Sequence, residues 1–315
     1  MTFLPVGSTT PSSRFRQRPA VLDGGGTSPD RLGHGTFLQA RTKTLALLPV
    51  ASLLAGHAFS AEKPLWELGI GGSALSFPDY RGSDESSLFA IPFPYVVYRG
   101  RFLKADEDGV RGALFDSDRV EVNVSVGASV PVDSDDNRAR EGMPDLQPTV
   151  EIGPSLDITL WRNDDRRYKL DLRLPVRGAV TVIGGVDDVG WEFSPRLVFD
   201  ISDVAGRSGW NLGLLAGPIF GSERSHDYFY SVAPRFATAD RPEFDADAGY
   251  GGSQFLVSLS KRYPRFWLGG FARWDNLEGA VFAESPLVRE DQYFAAGIAI
   301  AWIFKESSTR VEAEK

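Results

Sequence analysis

The sequence predicts an all-β fold: a transmembrane, antiparallel, up-and-down β-barrel of about twelve strands. Three observations predict it. Between Leu65 and Phe304, segments of about ten residues alternate apolar with polar or small side chains, separated by charged or Gly/Pro-rich turns. A short apolar run behind basic residues marks the chain for export. The last segment closes on aromatic residues.

The clearest segment places Tyr168, Leu170, Leu172, Leu174 and Val176 on one face and Lys169, Asp171, Arg173 and Arg177 on the other, a separation only a period of two achieves. Val120, Val122, Val124 and Val126 alternate likewise with Glu121, Asn123 and Ser125. So do Val150, Ile152, Leu156, Ile158 and Leu160 with Glu151, Ser155, Asp157 and Thr159, and Trp191, Phe193, Leu197 and Phe199 with Glu192, Ser194, Arg196 and Asp200. A soluble antiparallel sandwich would alternate too; the ends of the chain decide for the membrane.

In order, strands are expected at 65–77, 87–99, 101–106, 109–116, 119–131, 146–161, 167–179, 190–202, 209–221, 250–262, 265–275 and 292–304. An even count puts both ends on one side, and short and long connections alternate as periplasmic turns and extracellular loops do. The exception is Glu107-Asp108, a tight connection where an outer loop is due. Pro92, Pro94, Pro148, Pro154, Pro175, Pro195 and Pro218 fall inside expected strands, where each lacks a ladder donor, so bulges or strand ends are expected there.

Residues 41–61 read as a signal peptide: Arg41 and Lys43, an apolar stretch from Thr44 to Gly56, then small residues at Ala58, Ser60 and Ala61. The run is shorter than the roughly 20 residues that span a bilayer. Residues 1–40 are a disordered extension or the product of a misassigned start, 62–304 the barrel, and 305–315 a disordered periplasmic tail. Cysteine is absent, so disulfides and thiolate sites are excluded. Residues 1–61 hold six Lys/Arg and two Asp/Glu, leaving 28 and 40 for the rest, a net of −12 that argues against nucleic acid.

Trp66-Glu-Leu-Gly-Ile-Gly-Gly72 with Pro78-Asp-Tyr-Arg-Gly-Ser83, Pro92-Phe-Pro-Tyr95 with Tyr98-Arg-Gly-Arg-Phe102, Ala105-Asp-Glu-Asp-Gly109, Arg140-Glu-Gly-Met-Pro-Asp145 and the strand Gln292 to Phe304 together resemble the MipA/OmpV family, also called MltA-interacting proteins. The resemblance covers nearly all of the mature chain. It implies an outer-membrane barrel, linked in some members to a scaffold joining a murein lytic transglycosylase to a bifunctional murein synthase; other members are described as porin-like or adhesive. Trp302 and Phe304, closing the final strand, resemble the signal read by outer-membrane assembly machinery.

Chemistry-bearing residues are few. Ser225-His226-Asp227 holds the residue types of a hydrolytic triad, but neighbours in extended chain point apart and a triad must converge. His226 is expected in an outer strand extension with Tyr228, Phe229 and Tyr230. Asp133, Asp135, Asp136 and Asn137 suggest calcium, yet Arg138 and Pro144 stand where an EF-hand needs glycine and glutamate; a solvated acidic loop is the expectation, and Asp106-Glu-Asp108 reads as a turn. No catalytic residue, metal or cofactor is therefore assigned.

The inferred lumen carries Glu121, Glu151, Asp157, Lys169, Asp171, Arg173, Arg177, Glu192, Arg196 and Asp200, either a charged solute path or ion pairs that brace the strands, the second being favoured. Trp66, Tyr98, Trp161, Tyr168, Trp191, Trp210, Tyr263 and Trp274 fit interfacial girdles. The expected function is a non-enzymatic envelope scaffold in contact with outer-membrane lipid and lipopolysaccharide. A narrow passive channel is the alternative and a barrel lipid hydrolase the third reading.

Overall fold

A computed structural model describes residues 62–100, 103–106 and 109–311. The extension, the signal segment and Glu107-Asp108 lie outside the described residues. Fifteen strands follow in order: β1 (Lys63–Pro64), β2 (Trp66–Pro78), β3 (Ser86–Arg99), β4 (Leu103–Asp106), β5 (Gly109–Asp116), β6 (Val120–Ala128), β7 (Thr149–Arg162), β8 (Tyr168–Thr181), β9 (Asp188–Phe193), β10 (Arg196–Ser202), β11 (Trp210–Gly221), β12 (Gly249–Arg262), β13 (Phe266–Asn276), β14 (Gln292–Glu306) and β15 (Arg310–Val311). One α-helix, α1 (Glu223–Tyr230), interrupts the series.

Each strand from β2 to β14 pairs antiparallel with its neighbour in sequence or across a break, and β14 pairs with β2, so the sheet closes on itself. β9 and β10 both pair with β8 and with β11. They are two halves of one crossing, and the barrel has twelve crossings. The expected single strand over 190–202 is thus broken at Ser194-Pro195, where proline cannot donate to a ladder.

The other prolines find similar places. Pro218 borders a register shift against β12. Pro148 precedes β7, and Pro154 falls where the β7–β8 ladder skips two pairs between Ile152↔Gly178 and Ser155↔Pro175. At that gap Gly153 lies against the Val176 carbonyl so closely that a Cβ has no room.

β6 and β7 stop short of the expected 131 and 146. Val132 and Leu146 instead form an isolated bridge, both buried among loop residues. At the end carrying the termini, β14 runs on to Glu306 and Arg310–Val311 pairs with Lys63–Pro64, so part of the stretch expected as a disordered tail is paired.

Alternation sorts the two faces. Along β14, Phe294, Ala296, Ile298, Ile300, Trp302 and Phe304 are exposed outward, while Tyr293, Ala295, Gly297, Ala299, Ala301 and Ile303 are buried inside. An apolar outer face with small or polar residues behind it is the pattern lipid requires.

Candidate functional site

The interior divides into two unlike walls. From β6 to β10 it is charged: Asp171 accepts from Lys169 Nζ at 2.9 Å and from the Thr159 hydroxyl at 2.9 Å, with Arg173 Nη2 at 3.6 Å. Asn123 donates to Glu121 at 3.0 Å and to Asp157 at 3.1 Å, and Ser155 donates to Asp157 at 2.5 Å. Arg177 lies 3.7 Å from Glu151 and donates to Ser125 at 2.9 Å. Arg196 pairs in register with Arg173, Asp200 with Lys169, and Glu192 with Arg177, so all ten residues meet on one continuous wall. Some partners sit opposite one another on adjacent strands and others two residues apart on one strand, and both arrangements bring side chains of one face within reach.

The other wall, from β13 through β14 and β2 to β3, is apolar, which alternation alone did not reveal. Phe89, Ile91, Phe93, Tyr95 and Val97 of β3 turn inward with Leu75, Phe77, Trp267 and Phe271. Their rings fold back on glycines: a Cβ on Gly71 would lie 2.5 Å from the Phe93 ring, and one on Gly297 2.6 Å from Phe271. Phe77 stacks on Phe89 at 5.0 Å. The signal was present in the sequence, since residues 88–97 are apolar on both faces, as suits a strand that meets lipid outside and an apolar lining inside.

At the terminal end Glu67 is buried between two arginines. Only 3% exposed, it accepts from Arg99 Nη2 at 2.8 Å and from Arg262 at 2.7 and 2.9 Å. Arg262 stands on β12, with β13 and β14 between it and β2, so this cluster bridges strands that are not neighbours.

At the opposite end, loops 79–85, 129–148, 222–248 and 277–291 share one apolar core that includes Tyr80, Val132, Leu146, Tyr230, Val232, Leu277, Phe282 and Leu287. Tyr230 stacks on Phe282 at 3.6 Å, and the Tyr80 hydroxyl donates to the Leu287 carbonyl at 2.7 Å. Burial pushes that hydroxyl up to about 12, against the pull of Arg140, whose guanidinium lies 5.7 Å over the ring. Arg140 in turn donates to the carbonyls of Phe229 and Pro144, each at 3.1 Å, and ties two loops together. Arg81 reaches into the mouth itself, donating to the Gly251 carbonyl at 2.8 Å and the Tyr293 hydroxyl at 3.0 Å, with Asp275 at 3.4 Å.

The Ser-His-Asp run lies on α1, capped by the Ser222 side chain, and not on an extended strand. Successive helical residues diverge by about 100°, so the three side chains again do not converge. The His226 Nδ1 donates to the Asp247 carbonyl at 2.6 Å, and the ring packs 4.7 Å from Phe282 over Gly221 and Gly251. Burial lowers its pKa below the usual 6.5 despite the carbonyl. A histidine that resists protonation in the folded state contributes stability above that pH and loses it as the pH falls. Between pH 7.5 and 5, amide exchange in 222–248 is expected to quicken in the native protein, and His226→Phe should flatten the dependence. An unchanged slope in the variant would assign it to another group.

Asp133 caps a 3-10 turn over Ser134–Asp136, accepting from the Asp135 amide at 3.2 Å. Asn137 is buried and donates to Asp79 at 2.9 Å and Ser83 at 3.1 Å, a brace between two loops. Of the aromatic residues, Trp66 pairs with Tyr98, Trp161, Tyr168, Trp191 and Tyr263 are exposed on the outer face, and Lys261 lies 5.2 Å over Trp210. Trp274 is half-buried near the loop end of β13. Trp302 and Phe304 are exposed side by side, 6.0 Å apart.

Known proteins resemble this chain over most of its length. It is 24% identical over 284 residues to outer membrane protein OmpV of Vibrio cholerae serotype O1, covering 83% of this chain and 100% of that protein. It is 24% identical over 282 residues to outer membrane protein Omp26La of Vibrio anguillarum, with the same coverage. Among solved structures, a bacterial polysaccharide outer membrane secretin covers 77% of this chain and 99% of its own at 10% identity and a TM-score of 0.36. The family model described as MltA-interacting protein MipA matches residues 70–304, from the middle of β2 to the aromatic close of β14. The closed barrel and its framing motifs therefore coincide with that match, and the chain belongs to the MipA family.

Proposed function

We propose that the protein sits in the outer membrane as a non-enzymatic scaffold, its loop end outward and its terminal end in the periplasm. There the short turns and the β1–β15 ladder contact a murein lytic transglycosylase and, through it, a murein synthase. The location follows the relatives named as outer membrane proteins, and the partner follows the family's description as MltA-interacting. Export would proceed through the signal at 41–61. Outer-membrane lipid and lipopolysaccharide would surround the wall.

One observation carries the choice of scaffold over channel: the loop mouth is filled by a packed core held by Arg81, Arg140 and Tyr80. Paired charges and the Glu67 cluster narrow what lies below. That packing favours the outer surfaces over the lumen as the seat of activity. The test pairs two measurements on one preparation: co-purification of murein enzymes from solubilised envelopes, and single-channel conductance in planar bilayers. Co-purification without conductance steps is expected. Steps without co-purification would reverse the assignment in favour of a passive channel.

A further inference from the structure

On the outer face at the terminal end, between the close of β10 and the close of β14, cations stand without acids. Along β12, Phe255 and Leu259 are exposed outside while Ser258 and Ser260 are buried inside, so Lys261 follows the apolar residues on the lipid side. Its partners in register, Trp210 on β11 and Leu268 on β13, share that side. The Lys261 ammonium lies between two rings, 5.2 Å over Trp210 and 5.0 Å over Tyr263. Attraction to ring faces orients a cation and leaves its charge in place.

A second lysine is turned outward by a bulge. The β14–β2 register shifts between Ile303 and Lys305, so Phe304 and Lys305 are both exposed, and Lys305 comes opposite Leu68, on the same face as exposed Ile70. Arg207 and Arg265, exposed in the turns before β11 and β13, complete the arc. None of the four cations has an ion pair among the described residues. The acids nearby are engaged elsewhere: Asp203 accepts from the Gly209 amide at 2.7 Å, Glu306 from Arg310 at 3.2 Å, and Glu67 is buried with Arg99 and Arg262. The turn between β7 and β8 differs, since Asp164 and Asp165 stand beside Arg166 and Arg167, with Arg167 3.6 Å from Asp165.

Depth fixes what the arc meets. From Phe304 to Phe294, both exposed on β14, the rise is about 25 Å for a strand tilted by roughly 40°, the height of a barrel's apolar band. Phe304, with Phe266 and Trp302 beside it, therefore marks one edge of that band, and the cations lie at headgroup level. We propose that this arc binds the headgroup phosphate of an anionic phospholipid in the periplasmic leaflet, Lys261 and Lys305 donating to its oxygens from the wall and Arg207 and Arg265 from the turns. The inference rests on the outer-membrane placement proposed above. A phosphate supplies the countercharge that the wall withholds, and Leu259, Leu268 and Ile300, exposed just above, suit the acyl chains below that headgroup.

The test is native mass spectrometry on the full chain, refolded and released from micelles holding equal amounts of phosphatidylglycerol, phosphatidylethanolamine and lipid A. Gel mobility without boiling first selects folded barrels. A chain with no heat-modifiable form would overturn the placement and the site with it, whereas a folded barrel without lipid preference overturns the site alone. Expected is several-fold retention of phosphatidylglycerol over phosphatidylethanolamine, falling toward parity in the Lys261→Gln/Lys305→Gln variant and unchanged in Arg166→Gln/Arg167→Gln. An equal fall in both variants would mean diffuse attraction and no site. Preference for lipid A would move the arc to the other leaflet, and a dimer lost with the two lysines would assign it to a second copy; either result overturns the proposal.

Discussion

Glu67→Ala should destabilise the barrel more than any other single change considered. The carboxylate is buried, and its loss leaves the Arg99 and Arg262 guanidinium groups without it. Breaking a buried ion pair by removing one partner costs about 3–5 kcal/mol. Both arginines keep some exposure and Arg262 keeps Glu306 at 4.0 Å, which places the loss toward the lower end. Glu67→Gln retains acceptors of similar shape and should fall between alanine and the native residue. The readout is the urea midpoint of refolding into vesicles, followed by gel mobility without boiling. Equal midpoints for the native protein and the alanine variant would remove this cluster from the account of stability.

Leu172→Arg should fail in assembly where Arg173→Leu succeeds. Leu172 lies on the outer face: its cross-strand partner Leu197 is 47% exposed, and its neighbour Asp171 is buried. An arginine at mid-depth on the lipid face costs roughly 2–4 kcal/mol. Arg173→Leu removes a cation from the inner wall, but Asp171 keeps Lys169 and Thr159, and Asp157 keeps Asn123 and Ser155. Asp171 and Asp157 therefore each retain a donor. Pulse-chase appearance of the heat-modifiable form would show the difference. Equal tolerance of both would mean that β8 runs in the other register.

Strand number and order were legible because closure in lipid imposes a period of two on every crossing, and the pattern is local. The twelve expected segments match the twelve crossings. The prolines read as objections, and the ladder explains them. Pro195 and Pro218 sit at a break and a register shift, Pro154 at a gap relieved by Gly153, and Pro92 and Pro94 on a stretch of β3 whose far side has no paired strand among the described residues. None of these settings is written in the proline itself, since each depends on how far the neighbouring strand extends.

The long connection at 222–248 was read correctly, but the strand extension expected around His226 is a helix, for a related reason. An eight-residue helix is too short to declare its period, and α1 is held by Tyr230 and His226 packing on Phe282, more than fifty residues away in sequence. The charges from β6 to β10 were legible residue by residue because they alternate with aliphatic neighbours. The apolar wall was not, because β3 carries apolar residues on both faces and alternation is blind there.

By itself, then, the sequence determined the all-β class, the crossings and the side of the sheet on which each charge falls, since hydrogen-bond closure and alternation act between neighbours in the chain. Only the tertiary structure decided that four separated loops share one core over the mouth, that Glu67 of β2 meets Arg262 of β12, and that β3 pairs with β2 along its length but with β4 at only two positions among the described residues. Those outcomes rest on contacts between residues remote in sequence, whose meeting depends on closure of the whole sheet.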